Sequence, residues 1–294
     1  MHNMTERTQD RLYHGLGLPP ESDEIRAQVR EFVASEVAPA VTGMEEHSEA
    51  LENFPRELFE RMAGLGLFRI PFPAEDGGKG LRAPMLATSI VMEELAYESN
   101  SLAVIYDCQC VLAGRVLQYA SSELKSAYLP SIMSGERIAC VAITEPEAGS
   151  DVSPKSIRTV AHPVKGGWRL SGQKRFIINA PLADFACVLC TIEGALSMVV
   201  VDLHSEGVFV PAPDRKMGMR ACLTSDILLD EVFVPRENLV WQEGKGLRIA
   251  LGALTRGRIA VGASGVGMAQ AAFDESVQHM KERAMFGRSL AEMQ

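Results

Sequence analysis

No apolar run in this chain approaches the ~18 residues of a membrane span, and the polar stretch from Met1 to Asp10 holds no apolar segment of the kind a signal peptide needs. Lys and Arg never gather into a basic run. There are 29 of them against 38 Asp and Glu, a formal charge of −9. Nucleic acid is therefore not an expected partner, whereas anionic small ligands stay open, because they need only a few local cations or a helix N-terminus. Six unevenly spaced cysteines in 294 residues make no disulfide framework. The histidines, at 2, 14, 47, 162, 204 and 279, are never three or four apart, so no metal motif exists. Repeats and low-complexity tracts are missing too. These absences leave a protein expected in a reducing cytoplasm. At 47% apolar and 23% charged it has the composition of a folded globular chain, and at about 150 residues per domain two domains are favoured over one.

The periodicity of apolar residues divides the chain. Ile25, Val29, Phe32, Val33 and Val37 repeat at helical spacing, and Pro39 is expected to close that helix. A second helix runs from Pro55 to Ala63, with Gly64 at its end. Pro71–Gly80 is a loop, and further helices are expected at about 83–97, 101–119 and 122–134, the last capped by Ser121 or Ser122. Between Ile138 and Val234 the apolar segments become short and β-branched, separated by turn signals at Gly166-Gly167 and Ser171-Gly172. After Gly246 a long helix carries Leu247, Leu251, Leu254, Ile259, Val261, Val266, Ala269, Phe273, Val277 and Met280 as one stripe. Gly252, Gly257, Gly262, Gly265 and Gly267 interrupt it. Each weakens a helix by up to ~1 kcal/mol relative to Ala, so a backbone or ligand is expected very close. The stripe needs partners that the few residues after Arg283 cannot supply. The expectation is an α+β multidomain protein: a helical domain over 1–139, a β-sandwich or barrel over 140–240, and the start of a helical bundle over 241–294.

Several tempting motifs have plainer readings. Cys187 and Cys190 sit three apart in a strand, pointing to opposite faces, and read as core cysteines; Cys108 and Cys110 on a helix read likewise. Gly262-x-x-Gly265-x-Gly267 lies in mid-helix without a preceding strand, so it reads as packing rather than as a dinucleotide fingerprint. Glu93 and Glu94 read as helix-face acids. Asp107, a stray polar residue in an apolar helix, reads equally as a helix-edge residue or as part of a pocket. The informative stretch is Ala142–Asp151, where a strand enters a turn carrying Thr144, Gly149 and Ser150. Such a turn presents amides and hydroxyls to an anion, although an ordinary acid-rich turn fits the residues as well.

Thr144-Glu-Pro-Glu-Ala-Gly-Ser-Asp151 closely resembles the first signature of the acyl-CoA dehydrogenase family. Pro71–Gly80, Tyr128–Glu136, Gly172-Gln-Lys-Arg-Phe-Ile-Ile-Asn179, Lys216-Met-Gly-Met-Arg220, Val234–Asn238, Gly244-Lys-Gly246 and Arg283-x-x-Phe-Gly-Arg288 follow in that family's order. The resemblance implies FAD held between the β domain and the C-terminal helices, and oxidation of an acyl thioester to its 2,3-enoyl form. It implies Val141, Ile143 and Thr144 facing the isoalloxazine, with amides and the Thr144 hydroxyl at the pyrimidine edge. Gly149 and Ser150 would approach the pyrophosphate and pantetheine, and Phe176 and Ile178 the flavin. Arg283, Phe286 and Gln294 would contact the ADP half in a neighbouring subunit. Partners implied are acyl-CoA or an acyl carrier protein, an electron-transfer flavoprotein, and further copies in a homodimer or homotetramer. Fatty acid or branched-chain acyl metabolism is the implied setting.

Four departures qualify that pattern. Ile178 stands where Thr or Ser is usual, removing a hydroxyl beside the flavin. Thr255 replaces an Asp that helps fix the CoA arm, while Arg258 is kept; with Ser150 these are the expected substrate contacts. Pro154 follows Asp151 where a small residue is preferred. Gly257 occupies one of the two family positions for the carboxylate base, and the other falls beyond Gln294. The sequence is thus expected to be a C-terminally truncated enzyme or fragment lacking its base. Two other functions use the same residues: a flavin-dependent monooxygenase, which needs no such base and is mildly favoured by Ile178, and an inactive paralogue acting in assembly.

Overall fold

The computed structural model describes residue 7, residues 17–46 and residues 49–293. Met1–Asp10, apart from Arg7, and the expected contact Gln294 lie outside the described residues. Helix α1 (Pro20–Phe32) buries Ile25, Val29 and Phe32, and the same face continues through Val33 and Val37. Pro39 does not end it. Val33–Val37 widens into a π turn in which the Ala38 N–H reaches Val33 O, five residues back, and helix α2 (Ala38–Glu46) follows. A proline removes one donor and crowds the turn before it; a wider turn just ahead of Pro39 accommodates both effects. Helices α3 (Arg56–Gly64), α4 (Pro84–Glu98), α5 (Asn100–Tyr106), α6 (Ala113–Leu117) and α7 (Ser122–Ser134) complete the N-terminal layer. A second π turn, Asp107–Leu112, joins α5 to α6. Ser121 caps α7, accepting from Leu124 N at 3.2 Å.

Glu93 and Glu94 are not solvent-face acids. Both are buried in α4, and Glu94 receives Arg7, Arg26 and Arg30 at 2.9, 2.8 and 2.9 Å. Helical spacing alone does not separate the two faces of α4, because that helix is apolar nearly all round.

The middle of the chain is one mixed sheet of β1 (Ala139–Ala142), β2 (Val160–Val164), β3 (Gly167–Ile178), β4 (Phe185–Ile192), β5 (Ala195–Asp202), β6 (Val208–Phe209) and β7 (Thr224–Pro235). Its order is β1-β4-β2-β3-β7-β6, with β5 on the other side of β4. Strand β4 pairs in parallel with β1 and β2 and is buried throughout, which places Cys187 and Cys190 in the core, their thiols pushed up to about 12 by burial. Ser171-Gly172 is not a turn. It is a bulge in the continuous strand β3, where a Cβ on Gly172 would lie 2.6 Å from Thr159 Oγ1. A bulge and a turn both ask for glycine, and only the pairing with β7 tells them apart.

Helix α8 (Gly246–Glu282) is the longest element. Its buried face is not the expected stripe but a line of small residues, Gly246, Ala250, Ala253, Gly257, Ala260, Ser264 and Gly267, with Ile249. Leu251, Ile259, Val261, Val266, Phe273 and Met280 are exposed by 42, 52, 49, 47, 50 and 43%. The glycines divide in the same way. A Cβ would fall 2.1 Å from Glu93 O at Gly267, 2.6 Å from Leu112 Cδ2 at Gly257 and 2.5 Å from the Tyr119 hydroxyl at Gly252, but it would meet nothing within 4 Å at Gly262 or Gly265. Close approach therefore explains three glycines, Gly267 against α4, Gly257 against the π turn and Gly252 against Tyr119 just after α6, and packing does not explain the other two. Among the described residues no helix is long and apolar enough to cross a membrane.

Candidate active site

The signature turn leaves β1 as a tight bend closed by Glu145 N to Ala148 O at 2.8 Å and Ala148 N to Glu145 O at 3.1 Å. The Glu145 side chain turns inward, 4% exposed, and accepts from Arg158 N, Thr159 N, Thr159 Oγ1 and Lys174 Nζ at 2.6, 3.0, 2.6 and 2.8 Å. Burial pushes its pKa up, but the Lys174 ammonium and the three other donors outweigh it and hold the carboxyl below the usual range. Lys174, fully buried, also donates to Ile143 O at 3.1 Å, and its own pKa is pulled down by burial. Lys174 is a site residue that the sequence reading does not single out. The available signal was a lysine at an inward position of β3.

This knot sets Thr144–Ser150 beside the end of β3, where Arg175 N donates to Thr144 O at 2.9 Å. There β3 bulges a second time, between Lys174 and Ile177, and Phe176 takes a left-handed φ of +59° with 59% of its surface exposed. Asn179 is also left-handed, at φ +66°, and its buried Oδ1 has no hydrogen-bond partner. A non-glycine residue at positive φ costs of order 1–3 kcal/mol and is held only where its surroundings enforce it. Val141 and Ile178 are half-buried, Ile143 is buried, and Gly149 and Ser150 are exposed. Among the described residues, none accepts from the amides of Thr144, Gly149 or Ser150.

Across from this edge stands the helix side. The Cys108 thiol lies 3.6 Å from Ile178 O, so the π turn touches the end of β3. Its neighbour Asp107 is 4% exposed, with Oδ2 3.5 Å from where a Cβ on Gly257 would be and Oδ1 without a partner. Burial alone raises this carboxyl to about 7. Asp107 is therefore an interior residue, not a helix-edge one. Thr255 and Arg258 lie on the exposed side of α8, the Thr255 hydroxyl bonded back to Leu251 O at 2.8 Å. The structure thus brings Val141, Ile143, Thr144, Phe176 and Ile178 together and sets Gly257 across the π turn from them. Arg283 and Phe286 sit apart, at the end of α8 and in the hairpin of β8 (Ala284–Met285) and β9 (Arg288–Ser289). Phe286 is 91% exposed at φ +52°.

The chain matches the acyl-CoA dehydrogenase N-terminal domain over residues 19–136, the middle domain over 140–232 and the C-terminal domain over 244–294. A subunit of the caffeyl-CoA reductase–Etf complex of Acetobacterium woodii is 36% identical over 276 residues, covering 92% of this chain and 71% of that protein. The structure of a glutaryl-coenzyme A dehydrogenase in complex with glutaryl-CoA superposes with a TM-score of 0.88 at 33% identity, over 94% of this chain and 70% of that one. An acyl-CoA dehydrogenase complexed with FAD from Bacillus anthracis gives 0.87 at 28% identity, over 95% and 47%. With all three domains matched in order on the fold described above, this chain belongs to the acyl-CoA dehydrogenase family.

Proposed function

We propose that this chain is the flavin and substrate platform of an FAD-dependent acyl-CoA dehydrogenase. FAD, when bound, supplies the hydride acceptor for converting an acyl thioester to its 2,3-enoyl form. The residues at the sheet edge suit such a group. Open amides at Thr144, Gly149 and Ser150 offer donors to an anionic or carbonyl-rich edge, and Val141, Ile143, Phe176 and Ile178 offer an apolar wall. The observation that carries this reading is Phe176, a large aromatic held exposed at positive φ beside the signature turn. Most of the ring is uncovered, so packing within the chain does not account for that arrangement.

Ser150, Thr255 and Arg258 orient the thioester carrier in this proposal, and Arg283, Phe286 and Gln294 reach the ADP half of a cofactor in a neighbouring copy. Gly257 has no side chain to remove a proton, so that position does not supply the base in this proposal. The relative that is part of a reductase–Etf complex and the FAD-bound relative support an electron-transfer flavoprotein partner and the cofactor. The test is titration of the purified chain with FAD, read by quenching of flavin fluorescence. Saturable binding is expected, weakened about 3- to 10-fold by Phe176→Ala, in line with the ~0.5–1.5 kcal/mol of an aromatic contact. No quenching by the unsubstituted chain, or equal affinity in the variant, would refute the assignment of this edge.

A further inference from the structure

Where α6 meets the first turns of α8, two guanidinium groups share one neutral oxygen. Arg115 Nη1 donates to Gln118 Oε1 at 3.2 Å, and Arg256 Nη1 points to the same atom at 3.4 Å. Arg115 Nη2 donates to the Tyr119 hydroxyl at 3.0 Å, and its Nε is buried with no acceptor. Several other arginines of the fold meet acids: Arg61 has Glu36, Arg175 has Asp226, Arg220 has Glu49, and Glu94 takes three. Among the described residues no Asp or Glu pairs with Arg115 or Arg256, nor with Arg248 beside them. In a chain with nine more acids than bases, that is a local reversal of sign.

The surroundings hold the pair in place. Arg115 lies over the Tyr119 ring at 4.5 Å, Tyr119 stacks on Trp241 at 5.9 Å, and Arg248 covers Trp241 at 5.2 Å. Gly252 makes room for the phenol. Burial and the Arg115 charge both pull the Arg256 pKa down, so the two cations are held together against their mutual repulsion. Tyr119 already accepts from Arg115, which leaves its own proton free to donate. Two guanidinium groups and one hydroxyl therefore meet around Gln118 Oε1, half-buried, with two positive charges and no counter-charge.

We infer that Arg115, Arg256 and the Tyr119 hydroxyl form a binding site for a phosphate-class oxyanion. A tetrahedral dianion matches both the charge and the donors arriving from several directions, and guanidinium forks bind such oxygens bidentately. The site stands independently of the flavin reading and uses none of its residues.

Thermal unfolding of the whole chain in inorganic phosphate, against sodium chloride at equal ionic strength, tests it. Phosphate raises the melting temperature of the unsubstituted chain by at least about 2 °C once it is well above its dissociation constant. Arg256→Gln removes most of that gain. In chloride alone it melts at or above the unsubstituted chain, because a repulsion is relieved; a purely structural arginine would give the opposite. Arg256→Lys, which keeps the charge, retains part of the phosphate gain. No phosphate gain in the unsubstituted chain, or an equal gain in Arg256→Gln, overturns the inference. So does a salt-sensitive dimer that Arg256→Gln dissolves without any phosphate effect, since a carboxylate from a second copy would then be the partner.

Discussion

Glu145 and Asp107 are both carboxyls only 4% exposed, one at the edge of the sheet and one in the helical layer that faces it. Glu145 has four donors and a buried lysine; Asp107 has one oxygen with no partner at all. Their proton affinities move in opposite directions as a result, down for Glu145 and up to about 7 for Asp107. Glu145 thus completes a satisfied knot, a frame that fixes a turn and the strained residues next to it. The helix side is packed by glycine and alanine, and Asp107 there keeps one oxygen open. A frame of the first kind positions a ligand, and a surface of the second kind leaves room for one.

The largest effect should come from breaking the frame. Glu145→Ala leaves Lys174 charged and unpaired in the core, and removal of one partner from a buried pair typically destabilises by about 3–5 kcal/mol. Urea unfolding should show a loss of that size, and little change would mean that the knot does not hold the turn. Asp107→Asn should act the other way. The unfolded chain releases this proton from about pH 3.8 and the folded one only near 7. Between those values the folded state binds more protons than the unfolded one, so Asp107 makes stability fall as pH rises. Relative to the unsubstituted chain, Asp107→Asn should gain nothing near pH 4, progressively more up to pH 7, and a constant amount above. The ceiling is about 4 kcal/mol for roughly three pH units. Melting curves across that range would expose a flat difference, which would contradict the assignment.

The smallest effects divide the glycines of α8. Gly267→Ala places a methyl against Glu93 O and should destabilise by about 1–3 kcal/mol. Gly262→Ala meets open space and should stabilise by up to about 1 kcal/mol. Denaturation midpoints that shift in the same direction for both would show that close approach is not what the buried glycines serve.

Much of the fold was legible because local chemistry dictated it. The α1 face, the Ser121 cap and the buried strand β4 follow from spacing and residue type. Pro39, Ser171-Gly172 and the apolar stripe of α8 misled for one shared reason. A proline, a glycine and a row of leucines each have two structural uses, and neighbours distant in sequence choose between them. At the candidate site the motif at Thr144 was visible, whereas the Lys174–Glu145 pair that holds it joins residues 29 apart.

Residue order was enough to place the change from helix to strand, the turn that carries the signature, and a helix dotted with glycine that must lie against something. Periodicity and backbone preference act over a few residues and need no partner. Which carboxyl is satisfied and which is not, which glycines touch a neighbour, and where two arginines stand without an acid came from the folded arrangement alone. Desolvation and charge pairing depend on what surrounds a group in space, and a linear order of residues does not contain that information.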